Sequence, residues 1–225
     1  MRTVKIRFIA SLLALGLFSF SGGAQSNTDG SSPQFLFPEF IKGEVKMKNG
    51  LSQFAVLNYN TVSEKMVYKQ DGKIYDMIST EYVDTIYIHK SMFIPAGKIF
   101  HEVLVKDSMS LFVQHKGVIL PPGKPAGYGG TSQLASSTYL SSVQLSSGYY
   151  NLDLPADFEV KVDPLYWVRK DGKLNSYLGE KQFLRLFPEA EADLKKFIKQ
   201  NKIRFDRIPD MIKVAEYYNE ISLSR

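Results

Sequence analysis

Cysteine is absent from all 225 residues. That excludes disulfides, thiol nucleophiles, thiolate metal sites and any lipid anchor built on a cysteine. The fold must rest on burial alone. A chain of ~200 residues can supply that, since it buries ~70% of its unfolded surface. Histidine is scarce too, with only His89, His101 and His115. Motifs of catalysis fail in turn: there is no G-x-S-x-G elbow and no S-x-x-K pair. HEVLV (101–105) begins like a zinc helix but ends in Val105 and reads as a strand. The glycines of 123–130 lack the Gly-Lys-Ser/Thr ending of a phosphate loop. A metal reading would need His101 and His115 plus a further donor to which the sequence does not point, so no metal or cofactor is expected.

Long apolar runs are missing everywhere but at the start. Arg2, Lys5 and Arg7 precede the apolar stretch FIASLLALGLFSF (8–20), and Gly22 and Ala24 are small residues at the −3 and −1 positions of a cleavage site. This pattern predicts a signal peptide over 1–24, cleaved after Ala24, and an exported chain, periplasmic or secreted. Thirteen apolar residues are too few to span a bilayer, which takes ~20, and no transmembrane segment is expected in the processed chain. Cleavage also changes the charge argument. The whole chain carries 28 basic and 23 acidic groups; losing three basic residues leaves a net charge of only +2. The pI of 9.1 is therefore largely a property of the leader, and nucleic acid is not expected as a partner.

What remains is rich in β pattern. Residues 25–34 read as a polar linker and 35–120 as an antiparallel β region. IKGEVKMK (41–48) alternates, and Asn49-Gly50 follows it. A two-residue type I′ turn there would pair Lys48 with Leu51, Val45 with Phe54 and Gly43 with Val56. Asp71-Gly72 sets Gln70 against Lys73, Tyr68 against Tyr75 and Met66 against Met77. Asp171-Gly172 makes a third such turn. TIYI (85–88) and MFI (92–94) are further strands, with His89 facing away from the core. Between IFHEVLVK (99–106) and LFVQH (111–115), a loop of Asp107, Ser108 and Met109 keeps the apolar faces together and places His101 opposite His115.

From 121 to 148 no period of either kind appears, and a loop that long is functional or disordered. The backbone N–H groups of Gly127, Gly129 and Gly130 offer an anion-binding concavity beside Lys124, and Tyr128 offers an apolar or sugar-stacking face. These five residues, with His101 and His115, are the ligand-binding candidates; no catalytic residue is assigned. YYNLDL (149–154), FEVKV (158–162) and the hairpin LYWVRKDGKLNSYL (165–178) continue the β pattern. EKQFLRLF (180–187), EAEADLKKFIKQNK (189–202) and a last segment from near Asp206 or Ile208 read as helices packing on the sheet or on each other. The expected fold class is α+β: an antiparallel sheet or partly open barrel-like meander, then a hairpin and C-terminal helices.

The segments IPAGKIFHEVL (94–104), LFVQHKGVILPPGKPAGYGGTSQ (111–133) and EKQFLRLFPE (180–189) resemble a family of exported bacterial cell-envelope proteins that carries no assigned activity. The resemblance covers most of the processed chain. It implies export and an envelope setting, and brings no functional residues with it. The expectation is a non-catalytic envelope protein that binds or scaffolds another protein or a cell-wall component, its oligomeric state left open. The alternatives are a periplasmic hydrolase and a small-ligand binder using residues 121–147.

Overall fold

The structure, a computed structural model, describes residues 32–120, 124–126, 130–132 and 159–223. The expected leader, the linker up to residue 31, most of the Gly/Ser-rich segment and the 149–154 strand lie outside the described residues. Ten strands form one antiparallel sheet. In chain order they begin with β1 (Ile41–Met47), β2 (Ser52–Asn60), β3 (Lys65–Gln70), β4 (Lys73–Asp76) and β5 (Val83–Ile88). β6 (Ser91–Ala96), β7 (Ile99–Val105) and β8 (Ser110–Leu120) follow. A separate two-stranded ribbon, β9 (Lys124–Ala126) and β10 (Gly130–Ser132), precedes β11 (Glu159–Lys170) and β12 (Lys173–Tyr177). The sheet order is β12-β11-β8-β7-β6-β5-β1-β2-β3-β4. Helices α1 (Glu180–Arg185), α2 (Glu191–Gln200) and α3 (Ile208–Leu223) complete an α+β fold.

The two Asp-Gly turns form as the alternation demands. Asp71 and Asp171 each have φ of 50° and are followed by glycines at 73°, the paired positive values of a type I′ turn. Gln70 pairs with Lys73 and Tyr68 with Tyr75, and Lys170 pairs with Lys173. The Asn49-Gly50 turn does not follow them. Gly43 faces Ala55, Glu44 faces Phe54 and Val45 faces Gln53, one residue away from the expected register. Gly50 alone is left-handed there, at φ 85°, and its N–H donates to Met47 O. The loop thus holds three residues and ends on a glycine bulge. β2 has a second neighbour that decides the matter: pairing with β3 sets Leu57 against Tyr68 and Tyr59 against Met66. The inward set of β2 is therefore Ala55, Leu57 and Tyr59, and Phe54 is turned out.

The pairing of β7 with β8 also departs from the expected register. Val105 pairs with Leu111, as a three-residue loop requires, but Val103 pairs with Phe112 and Glu102 with Val113. Leu104 is a bulged extra residue. Leu104 and Val105 both pack against the helix-side core, which a regular strand with strictly alternating faces does not permit. Beyond the bulge every side chain changes face, so His101 and His115 are not neighbours and lie on opposite sides of the sheet. β11 also differs from expectation, running unbroken through Pro164. That proline pairs only toward β8, because β12 starts its pairing at Tyr166, and a missing N–H is tolerated there.

The sheet curls until the β2–β3 turn meets β8, where Gly117 N–H donates to Thr61 O at 2.8 Å. Leu57, Tyr59, Met66, Ile86, Ile88, Phe93 and Phe100 fill the concave side. At the other end Leu111, Val113, Tyr166 and Val168 are covered by Phe183, Phe187, Leu194, Met211 and Val214 of the helical tail. Asn219 of α3 binds the β7–β8 loop, accepting from Met109 N–H at 2.9 Å and donating to Met109 O at 3.0 Å.

Candidate functional site

β4 is the sheet's edge beside β3, while β5 lies between β1 and β6. The chain from Met77 to Tyr82 must therefore cross the concave face. It is fixed by Thr80 Oγ1 donating to Gly97 O at 2.8 Å and by Lys48 N–H donating to Tyr82 O at 2.9 Å. Beneath this crossing lies a cleft of about 100 Å³, walled by Val45, Met47, Ala55, Tyr68, Met77 and Val83, with Phe54 and Ile78 also lining it. Its polar members are Gln53, Ser79 and Asp76; the Asp76 carboxylate is held by Lys65 Nζ at 2.6 Å. Four large apolar side chains stand out at the same corner: Leu51, Phe54, Ile78 and Tyr82, exposed by 62, 67, 52 and 56%. The turned-out Phe54, a consequence of the β2 register, is one of them. Lys42 Nζ lies over its ring at 5.6 Å.

The two candidate histidines occupy different chemistry. His115 is buried on the concave side, its ring edge-on to Tyr59 and its Nε2 2.6 Å from Glu102 Oε2. Burial pushes the Glu102 carboxyl up, but hydrogen bonds from His115 and Ser91 outweigh it and hold the group below its ordinary value. Glu102 is thus an ionised acceptor and His115 Nε2–H donates to it. A carboxylate that orients an imidazole is half of an acid–base relay. Here Ser91 addresses the carboxylate rather than the imidazole, the reverse of the order that activates a nucleophile.

His101 faces out yet is only 3% exposed, because Trp167 stacks on it with ring centroids 5.1 Å apart. Its Nε2 is buried without a hydrogen-bond partner. Burial, with Arg169 nearby, lowers its pKa to about 4, so the ring is neutral at ordinary pH. Gln114 extends the cluster, accepting from Trp167 Nε1 at 3.0 Å and donating to Glu64. The Arg169 guanidinium lies 4.8 Å from the Phe112 ring centre. This is a packed polar–aromatic layer, with His101 locked inside it.

Of the loop candidates, Lys124 and Gly130 lie in the ribbon. Lys124 pairs with Ser132 and Gly130 with Ala126, so part of the stretch read as patternless has strand pairing. Gly127, Tyr128 and Gly129 lie outside the described residues. Glu102, Ser91, Trp167 and the cleft were not among the sequence candidates. Glu102 adjoins His101 in HEVLV, and Trp167 is the single tryptophan. Those were the available signals, but the Leu104 bulge that separates the histidines left none. Among the described residues, no three His, Asp or Glu side chains converge as a metal site needs, and no helix is long and apolar enough to cross a membrane. No family model, curated protein or solved structure matches the chain.

Proposed function

We propose that this chain is an exported bacterial envelope protein, periplasmic or secreted, that works by contact, binding or scaffolding another envelope component. The observation that carries the reading is the corner around the β1–β2 hairpin. Leu51, Phe54, Ile78 and Tyr82 are exposed there, two of them, Phe54 and Ile78, at an apolar cleft, and a clustered exposed apolar patch marks an interaction surface. The leader-like N-terminus supplies the compartment, and the resemblance of residues 94–104, 111–133 and 180–189 to exported envelope proteins agrees with it. The histidines fit a contact protein as well, being shielded inside packed layers.

The test joins fractionation to cross-linking in the producing cell. The processed chain should begin at Gln25 and be recovered outside the cytoplasm. A photo-reactive residue at position 54 or 78 should give a discrete adduct, whereas the same group at exposed Lys195 on α2 should not. Recovery of an unprocessed chain in the cytoplasm would end the envelope reading. Equal labelling from positions 54, 78 and 195 would end the contact reading.

A further inference from the structure

The end of α2 and the turn after it carry charge of one sign. From 195 to 207 there are six basic residues, Lys195, Lys196, Lys199, Lys202, Arg204 and Arg207, and one acid, Asp206. That segment is +5, whereas residues 25–225 together are only +2. The remainder is therefore −3, and the molecule is electrically polarised. All six basic residues are exposed. Among the described residues only Arg204 of the six has an acidic partner, Asp206 at 2.6 Å.

These charges share one end of the helical layer. Lys195, Lys196 and Lys199 lie on the side of α2 away from buried Leu194 and Ile198, with Lys195 and Lys199 ~6 Å apart along the axis. Ile203 N–H then donates to Ile198 O at 3.1 Å and Arg207 N–H to Arg204 O at 3.2 Å. The chain thus folds back at once and keeps Lys202, Arg204 and Arg207 beside the end of the helix. Neighbouring charges spaced within a Debye length, ~8 Å at physiological salt, add their fields. The dipole of α2 favours a cation in its last turn; six exceed that need.

The apolar members of the segment are turned inward. Phe197, Ile203 and Phe205 pack against the helix-side core, Phe197 stacked on Tyr217 at 4.1 Å and Phe205 edge-on to Tyr177 at 6.2 Å. The segment therefore offers a nucleobase no free ring to stack on. It also lacks the apolar anchor of a protein interface, whose core is depleted in lysine. What it presents is a group of hydrated point charges, which respond to surface potential rather than to shape.

From these observations we infer that the end of α2 and the α2–α3 turn dock on an anionic phospholipid bilayer, the chain resting on the headgroup phosphates without inserting. This surface lies on other elements than the corner around the β1–β2 hairpin. A lipid partner gives no discrete protein adduct at Lys195, so the cross-linking comparison above is unaffected.

Vesicle co-sedimentation of the chain from residue 25 to residue 225 tests it. The chain should bind phosphatidylcholine vesicles that contain phosphatidylglycerol, leave pure phosphatidylcholine vesicles unbound, and be released by high salt. Lys199→Gln/Lys202→Gln should lower the partition at least roughly tenfold. Lys90→Gln/Lys98→Gln removes the same charge from exposed positions elsewhere and should bind like the parent. Both variants should keep the parent's unfolding midpoint, because all four lysines are exposed. Equal loss in the two variants would mean that net charge alone acts, and overturns the inference. So does a chain that ignores anionic vesicles at low salt, or binds both vesicle types equally. A chain that binds duplex DNA but not the vesicles would make this a nucleic-acid surface and overturn it as well.

Discussion

Gly43 shows how closely the curl of the sheet is drawn. A Cβ built there would lie 2.5 Å from Tyr87 O and 2.8 Å from Leu57 Cδ1, and the carbonyl belongs to a neighbouring strand that cannot step aside. Gly43→Ala should cost about 1–3 kcal/mol, the range for overpacking a tight site, read as a lower urea midpoint at constant m. Gly50 depends on glycine for another reason. Space around it is open, but its φ is 85°, so Gly50→Ala should cost about 1–2 kcal/mol through the left-handed backbone alone. Asn219 is the polar counterpart. Its amide satisfies both backbone groups of buried Met109 and also accepts from Ser108 Oγ at 2.9 Å. Asn219→Leu leaves the Met109 N–H and C=O unpaired, and each such group costs about 1–3 kcal/mol. The expected result is a destabilisation of several kcal/mol by chemical denaturation. A variant as stable as the parent would mean that α3 is held by its apolar face alone.

Strands and turns were legible where one local rule decided them. Asp71-Gly72 and Asp171-Gly172 sit between strands whose apolar positions agree with a two-residue reversal, and the registers followed. Asn49-Gly50 carries the same kind of signal, but β2 offers two apolar sets, Phe54 with Val56 and Ala55 with Leu57 and Tyr59. Matching β1 alone favoured the first; β3, with Tyr68 and Met66, requires the second. The choice was available in the sequence to a reading that satisfied both neighbours at once. The amphipathic tail was legible for the converse reason, since its periodicity answers to one buried face. The Leu104 bulge was not legible, because it answers to helices that begin only at Glu180, and the candidate site inherited that error when His101 and His115 were placed together. The bulge carries its own prediction. Deleting Leu104 leaves Val103 against Phe112 and Val105 against Leu111 in one continuous ladder, so His101 and Glu102 keep their faces. The cost should be that of one partly buried leucine, about 1–3 kcal/mol. An alanine inserted between Glu102 and Val103 should be far worse, since it flips both residues to the wrong side. Tryptophan fluorescence reports the difference, because Trp167 stacks on His101.

For the molecule as a whole, the absence of any covalent staple leaves stability open to pH through two buried groups on opposite faces. His101 has a folded pKa of about 4 against an ordinary 6.5. Between those values the unfolded chain binds a proton that the folded chain does not. Stability should therefore fall as pH drops from about 6.5 to about 4, by at most about 3 kcal/mol. Glu102 acts lower. Its folded pKa is depressed from 4.5, so its contribution is complete above that value and disappears as pH falls through the folded pKa. Acid should act in two stages, the upper belonging to His101 and the lower to Glu102. Replacing His101 by Phe keeps a ring against Trp167 and removes the proton site, so the slope between pH 6.5 and 4 should flatten while the lower stage persists. Glu102→Gln should do the reverse, flattening the lower stage and leaving the upper slope in place. Urea unfolding from pH 7 to pH 3 separates the two. If His101→Phe keeps the wild-type slope above pH 4, the stacked outer layer is not what the molecule loses first in acid.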